Sequence, residues 1–131
     1  MDTLTSEQAP GDYALISESV DGAEILHVLG DIDLVSAPDF ESKMVTGVRI
    51  GKLLVVELTR CAYIDSSALG ALIRAQRVVG KRLRVVIREG TNVSRVFQIT
   101  AMAKYFPVLY SLEEAMATNM DSQELGGSAA S

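Results

Sequence analysis

Between Tyr13 and Met120 the spacing of apolar residues switches repeatedly between strict alternation and the three-to-four-residue recurrence of a helix. A chain patterned this way must build a sheet from strands separated by helices, because each period presents one buriable face of its own kind of element. Tyr13 to Ser19 and Glu24 to Leu29 read as two strands, joined at Asp21-Gly22, a dipeptide suited to a tight hairpin turn. Ser36, Pro38 and Asp39 then mark a helix start, with a capping hydroxyl, a proline that fits the first turn and an acidic residue at capping-box spacing. Phe40, Met44 and Val48 recur on one side of that helix, and Gly51 is placed to end it. Leu53 to Val56 is a nearly continuous apolar run, as a strand covered on both faces requires. A second helix is predicted from Asp65-Ser66 to near Gly80 and a strand from Leu83 to Arg88. A third helix, capped by Asn92, uses Val93, Val96 and Phe97. Pro107 to Tyr110 reads as a short strand held at an edge by its proline, and Ser111 with Glu114 opens a last helix to about Met120. The resulting order, β-β-α-β-α-β-α-β-α, predicts an α/β fold. It is a mixed sheet of about five strands, an initial hairpin followed by parallel crossovers, with about four helices packed against it.

The 131 residues suit a single domain, expected over 12–120, between an N-terminal arm over 1–11 and a C-terminal tail over 121–131. Both ends are small and polar and would not repay ordering. The opening MDTLTSEQAPGD has neither a basic lead nor an apolar stretch, and no apolar run reaches bilayer-spanning length. A soluble cytoplasmic protein without membrane association is the expectation. Seventeen acidic residues against twelve basic ones, net −5, argue against direct nucleic-acid binding, since neutralising phosphates takes a concentrated positive surface. Cys61, the lone cysteine, cannot close an intramolecular disulfide and reads as a reduced small hydrophobe.

Most catalytic templates lack parts. The single histidine, His27, falls inside a predicted strand in phase with Ile25 and Leu29, which favours a packed or satisfied histidine over a catalytic one. No His/Cys cluster has zinc spacing, and neither GxxxxGK[ST] nor GxGxxG occurs. Gly30-Asp31-Ile32-Asp33 sets two carboxylates two residues apart. A strand-to-helix turn explains them more simply than a metal or acid/base site. That leaves Tyr63-Ile64-Asp65-Ser66-Ser67-Ala68-Leu69-Gly70. Asp, Ser and Ser are what a helix start wants on capping grounds alone, and no neighbouring base activates a serine nucleophile. At 100° per residue, Ala68, Leu69, Leu72, Ala75, Gln76 and Val79 share the apolar side. Ser66, Gly70, Arg74, Arg77 and Lys81 gather on the other. Ser66 is therefore expected to face solvent, with Gly70 one turn on as a low spot where a second protein can approach. Arg74 lies eight residues from Ser66, about 12 Å along the axis, too far to cradle a phosphate there unless it bends back.

These residues resemble the STAS domain in its small single-domain form, the bacterial anti-sigma factor antagonist. Gly30-Asp31-Ile32-Asp33-Leu34 followed by Ser36-Ala37-Pro38 resembles the family's GE(I/L)D segment and its (T/S)AP helix start. Asp65-Ser66-Ser67 with Leu69-Gly70 resembles its DSSGLG signature. Val96-Phe97, Phe106-Pro107-Val108 and Leu112-Glu113-Glu114-Ala115 resemble its C-terminal pattern. The resemblance implies a partner switch rather than an enzyme. The serine after the aspartate, Ser66 here, is phosphorylated by the anti-sigma factor, itself an ATP-dependent serine kinase. The unphosphorylated antagonist holds that kinase and frees a sigma factor, and a serine phosphatase restores the phosphorylated form. ATP and Mg²⁺ belong to the partner, and no cofactor is expected on this chain. The partner-facing set is Asp31, Asp33, Asp65, Ser66, Ser67, Gly70, Arg74 and Arg77. Ala68 replaces the family's glycine after the two serines. A phosphorylation-independent scaffold, in stress signalling or a lipid-transport complex, stays open as the alternative, as does self-association.

Overall fold

The computed structural model describes residues 12–47 and 52–117. Strands β1 (Ala14–Val20), β2 (Ala23–Ile32), β3 (Leu53–Ile64), β4 (Leu83–Val86) and β5 (Val108–Leu109) form one sheet in sequential order. β1 and β2 pair antiparallel and every later pair is parallel. The connections are α1 (Ala37–Gly47), α2 (Ser66–Val79) and α3 (Asn92–Ile99), with α4 (Leu112–Ala117) after β5. Because each parallel strand is added on the same side of the last, right-handed crossovers put all three connecting helices on one face. Phe40 and Met44 of α1, Leu69 and Leu72 of α2 and Val93 and Phe97 of α3 accordingly share the main core with Leu54, Val56 and Leu58. α4 covers a smaller patch on the opposite face, where Ala115 meets Ala23, Ile25, Val55 and Val86. Burial of Leu54, Val55 and Val56 on alternating faces is what the continuous apolar run foretold.

The mixed sheet, the hairpin at Asp21-Gly22 and the edge position of β5 match expectation. Gly22 takes the positive φ of 83° that its turn requires. Several boundaries differ. β3 runs eight residues past Val56, to Ile64, and β2 continues to Ile32, so Gly30 and Asp31 are strand rather than turn. The longer strand escapes pattern reading because its later core residues, Leu58, Cys61 and Ile64, recur every third position. Two register shifts, at His27/Leu29 and Gly30/Asp31, each place an extra residue on β3, and each resets the alternation. Ser36 and Asp39 do not form the expected capping box. Ser36 turns its hydroxyl back to accept the Asp33 N–H, while Asp39 binds Tyr13 and Lys43. α3 is capped by Thr91, not Asn92, since the Thr91 hydroxyl accepts from Ser94 N. Lys81 belongs to a short 3₁₀ turn, Gly80–Arg82, beyond the helix proper. Val48, Gly51, the end of the last helix towards Met120, the arm and the tail lie outside the described residues.

Cys61 is buried, its thiol donating to the Tyr63 carbonyl at 3.5 Å, and burial pushes its pKa up to about 11. The neutral thiol is thus favoured by folding. Its contribution to stability is present below the unfolded pKa of about 8.5 and fades as pH rises towards the folded value. Native Cys61 is expected to react with a thiol reagent at pH 8 about two orders of magnitude more slowly than in denaturant. Equal rates in the two states would contradict its burial.

Candidate functional site

β2 and β3 end side by side: Ile32 is in register with Ile64, and Asp65 N donates to Ile32 O at 3.3 Å. The starts of α1 and α2 therefore emerge together at the carboxyl end of the sheet. On the first loop the Asp33 carboxylate accepts from Val35 N at 3.0 Å, Ser36 N at 3.1 Å and the Ser36 hydroxyl at 3.2 Å. These donors, the Ser36 N–H foremost, hold Asp33 below the usual carboxylate range. With the turn pinned at both ends, Leu34 and Val35 have no route inward and stand 74% and 87% exposed. Sequence reasoning assigned neither a role. An aspartate and a serine three apart around two apolar residues was the available signal.

On the second loop Asp65 caps α2, its Oδ1 accepting from Ser67 N at 2.9 Å. Ser66 is the first helical residue and is exposed, and its hydroxyl makes no hydrogen bond among the described residues. The first turn's N–H groups and the helix dipole favour an anion at that place. Ala68 is wholly buried in the core, so its methyl is used in packing and adds nothing to the surface.

A groove of about 310 Å³ separates the two helix starts, with Leu34, Pro38 and Glu41 on one wall and Ser66, Gly70 and Arg74 on the other. Ser67 also lines it. Arg74 takes the bent-back course on which any approach to Ser66 depends. It folds back along the helix, so that a Cβ on Gly70 would lie 3.1 Å from its Nη1. Its Nε donates to Glu41 Oε1 at 2.8 Å, crossing from α2 to α1. The eight-residue separation from Ser66 is thus halved by the side chain itself.

Asp31 and Asp33 line a neighbouring hollow with Tyr13, Ser36 and Asp39, and Asp31 Oδ1 is buried there without a hydrogen-bond partner among the described residues. The α1 entry is the divide between hollow and groove. Arg77 is exposed on the last turn of α2 and lines neither. His27 is satisfied by two carboxylates, with Nε2 2.8 Å from Glu18 Oε1 and Nδ1 3.2 Å from Glu57 Oε1. Among the described residues no His, Cys, Asp and Glu group together as metal ligands. No described helix is long and apolar enough to cross a membrane.

Residues 14–115 match the STAS domain family. The chain is 30% identical over 81 residues to the anti-sigma-B factor antagonist of Listeria monocytogenes, spanning 60% of this chain and 71% of that protein. A crystal structure of an anti-sigma factor antagonist from Mycobacterium paratuberculosis superposes with a TM-score of 0.73 at 29% identity, covering 82% of this chain and 94% of that one. The Bacillus cell fate determinant SpoIIAA in its phosphorylated form shares the fold, with a TM-score of 0.56 at 18% identity over 79% of this chain and 96% of its own.

Proposed function

The chain belongs to the STAS-domain family, and on that premise we propose that it is an anti-sigma factor antagonist switched by phosphorylation of Ser66. Unphosphorylated, it docks on an anti-sigma factor that is also a serine kinase and thereby frees a sigma factor. The kinase transfers the γ-phosphoryl of Mg-ATP to Ser66. The Oγ–P bond forms, the bond to the β,γ-bridging oxygen breaks, ADP leaves, and the serine proton passes to a base on the kinase. A serine phosphatase returns the chain to its binding form. Base, metal and nucleotide are the partner's, and this chain contributes an acceptor and a docking surface in the manner of its regulatory relatives.

The single observation that carries this reading is the exposed Ser66 hydroxyl at the start of α2, unengaged by described residues and beside a groove lined by exposed Leu34, with exposed Val35 next to it on the first loop. Exposed apolar residues rimmed by polar ones suit a protein partner. A phosphoryl group brings about −1.5 to −2 charges. It would stand beside Asp65 and Glu41, at a helix N-terminus that tolerates it, so the surface changes while the fold persists. The test is retention on the cognate kinase in excess Mg-ATP. Ser66→Ala should stay bound through repeated washes while the unaltered chain is released as it becomes phosphorylated. Identical release of both proteins would remove the phosphoswitch and favour a scaffold role.

A further inference from the structure

We propose that Arg74 is the positioning residue for the phosphoryl group on Ser66, a role that rests on the reading of Ser66 as the acceptor. Gly70 is four residues from Ser66 and four from Arg74, so all three stack on one face of α2. The bare backbone at Gly70 lets the guanidinium lie back over that turn, with Nη1 at 3.1 Å from the Cβ position, so that even a methyl there would push the head outward by a few tenths of an ångström. The head of Arg74 thus stands about one turn, roughly 6 Å along the axis, from Ser66. A phosphoserine side chain spans much of that gap.

The orientation of the head matters as much as its place. Glu41 takes the Nε–H at 2.8 Å, and neither terminal Nη group makes a hydrogen bond among the described residues. Glu41 therefore holds the guanidinium by one edge and leaves the Nη pair for phosphoryl oxygens, a fork geometry that arginine supplies and lysine does not. The other charged side chain lining the groove is a carboxylate, Glu41 on α1, and the Asp65 cap adjoins Ser66 in the chain, while Asp33 is turned onto its own loop in the neighbouring hollow. Arg74 is the sole cation lining the groove among the described residues. Without it, a dianion on Ser66 would be opposed by Glu41 and Asp65 and favoured by the helix terminus alone. Arg74 lets the phosphoryl group lie in the groove, where it occupies the space between Leu34 and Gly70 that a docked partner needs.

The experiment uses the full chain with phosphoserine installed at position 66 during translation, titrated by ³¹P NMR. In the Arg74 protein the second phosphate pKa should lie about half a unit below that of Arg74→Gln. Arg74→Lys should recover part of the difference, and Arg77→Gln should leave it unchanged. A phosphate that titrates identically with Arg74 and with Gln overturns the proposal, as does an equal shift on Arg77→Gln, which would reduce the effect to overall charge. Since the phosphoserine is installed, this result does not depend on whether any kinase modifies Ser66 in the cell.

Discussion

Replacing Ser66 with aspartate is expected to weaken binding to the kinase by about thirtyfold or more, with little change in the melting temperature of the isolated chain. The two halves of that expectation come from the same place in the fold. Ser66 opens α2, where unsatisfied N–H groups and the helix dipole accommodate a carboxylate, so the helix does not suffer. The residue is exposed and belongs to neither core cluster, so no core contact is lost. On the docking surface the added charge joins Asp65 and Glu41 at the rim of the groove. Like-charge opposition across an interface costs several kcal/mol, and about 2 kcal/mol already corresponds to thirtyfold. Aspartate is smaller and less charged than phosphoserine, so its effect is a lower bound on that of the proposed phosphorylation. Undiminished affinity, measured by titration calorimetry with the nucleotide-free kinase, would contradict an electrostatic interface switch.

Replacing Phe40 with alanine is expected to remove about 3–5 kcal/mol of stability, the cost of truncating a wholly buried aromatic ring whose neighbours cannot close the gap. Phe40 lies in the first turn of α1 and joins the core cluster that holds Leu69 and Leu72 of α2. It therefore fixes the spacing of the two helices whose starts form the groove. Against a typical domain stability of 5–15 kcal/mol, such a loss brings the fold near its limit. Urea denaturation followed by circular dichroism would measure it, with the midpoint falling and the slope unchanged. A cost below about 1 kcal/mol would mean that α1 does not pack as described.

The alternation of strand and helix was legible because each element's periodicity was carried by its own residues: Val85 and Val86 in β4, and Leu69, Leu72 and Val79 in α2. The hairpin glycine and the edge proline were equally local signals. What escaped reading depended on pairing. The length of β3 is set by two extra residues absorbed opposite β2, which no count along one strand reveals. The cap of α1 was misplaced because Asp33 and Ser36 satisfy each other across the turn, a choice that a capping box at the same spacing imitates. At the site, the exposure of Ser66 followed from the helical wheel. The return of Arg74 over Gly70 did not, because a backbone rise of 1.5 Å per residue locates Cα atoms and says nothing of where a long side chain lays its head. Leu34 and Val35 were missed for a related reason. Two consecutive apolar residues read as half-buried until the hydrogen bonds that hold them outward are seen.

The most direct measurement is the intact mass of the protein isolated from the cells that make it, beside a Ser66→Ala version expressed from the same locus. A species heavier by one phosphoryl group, absent from the Ser66→Ala protein, is the expected result. A phosphoryl increment that persists in Ser66→Ala, or none in the unaltered protein under any growth condition, would contradict a switch at Ser66.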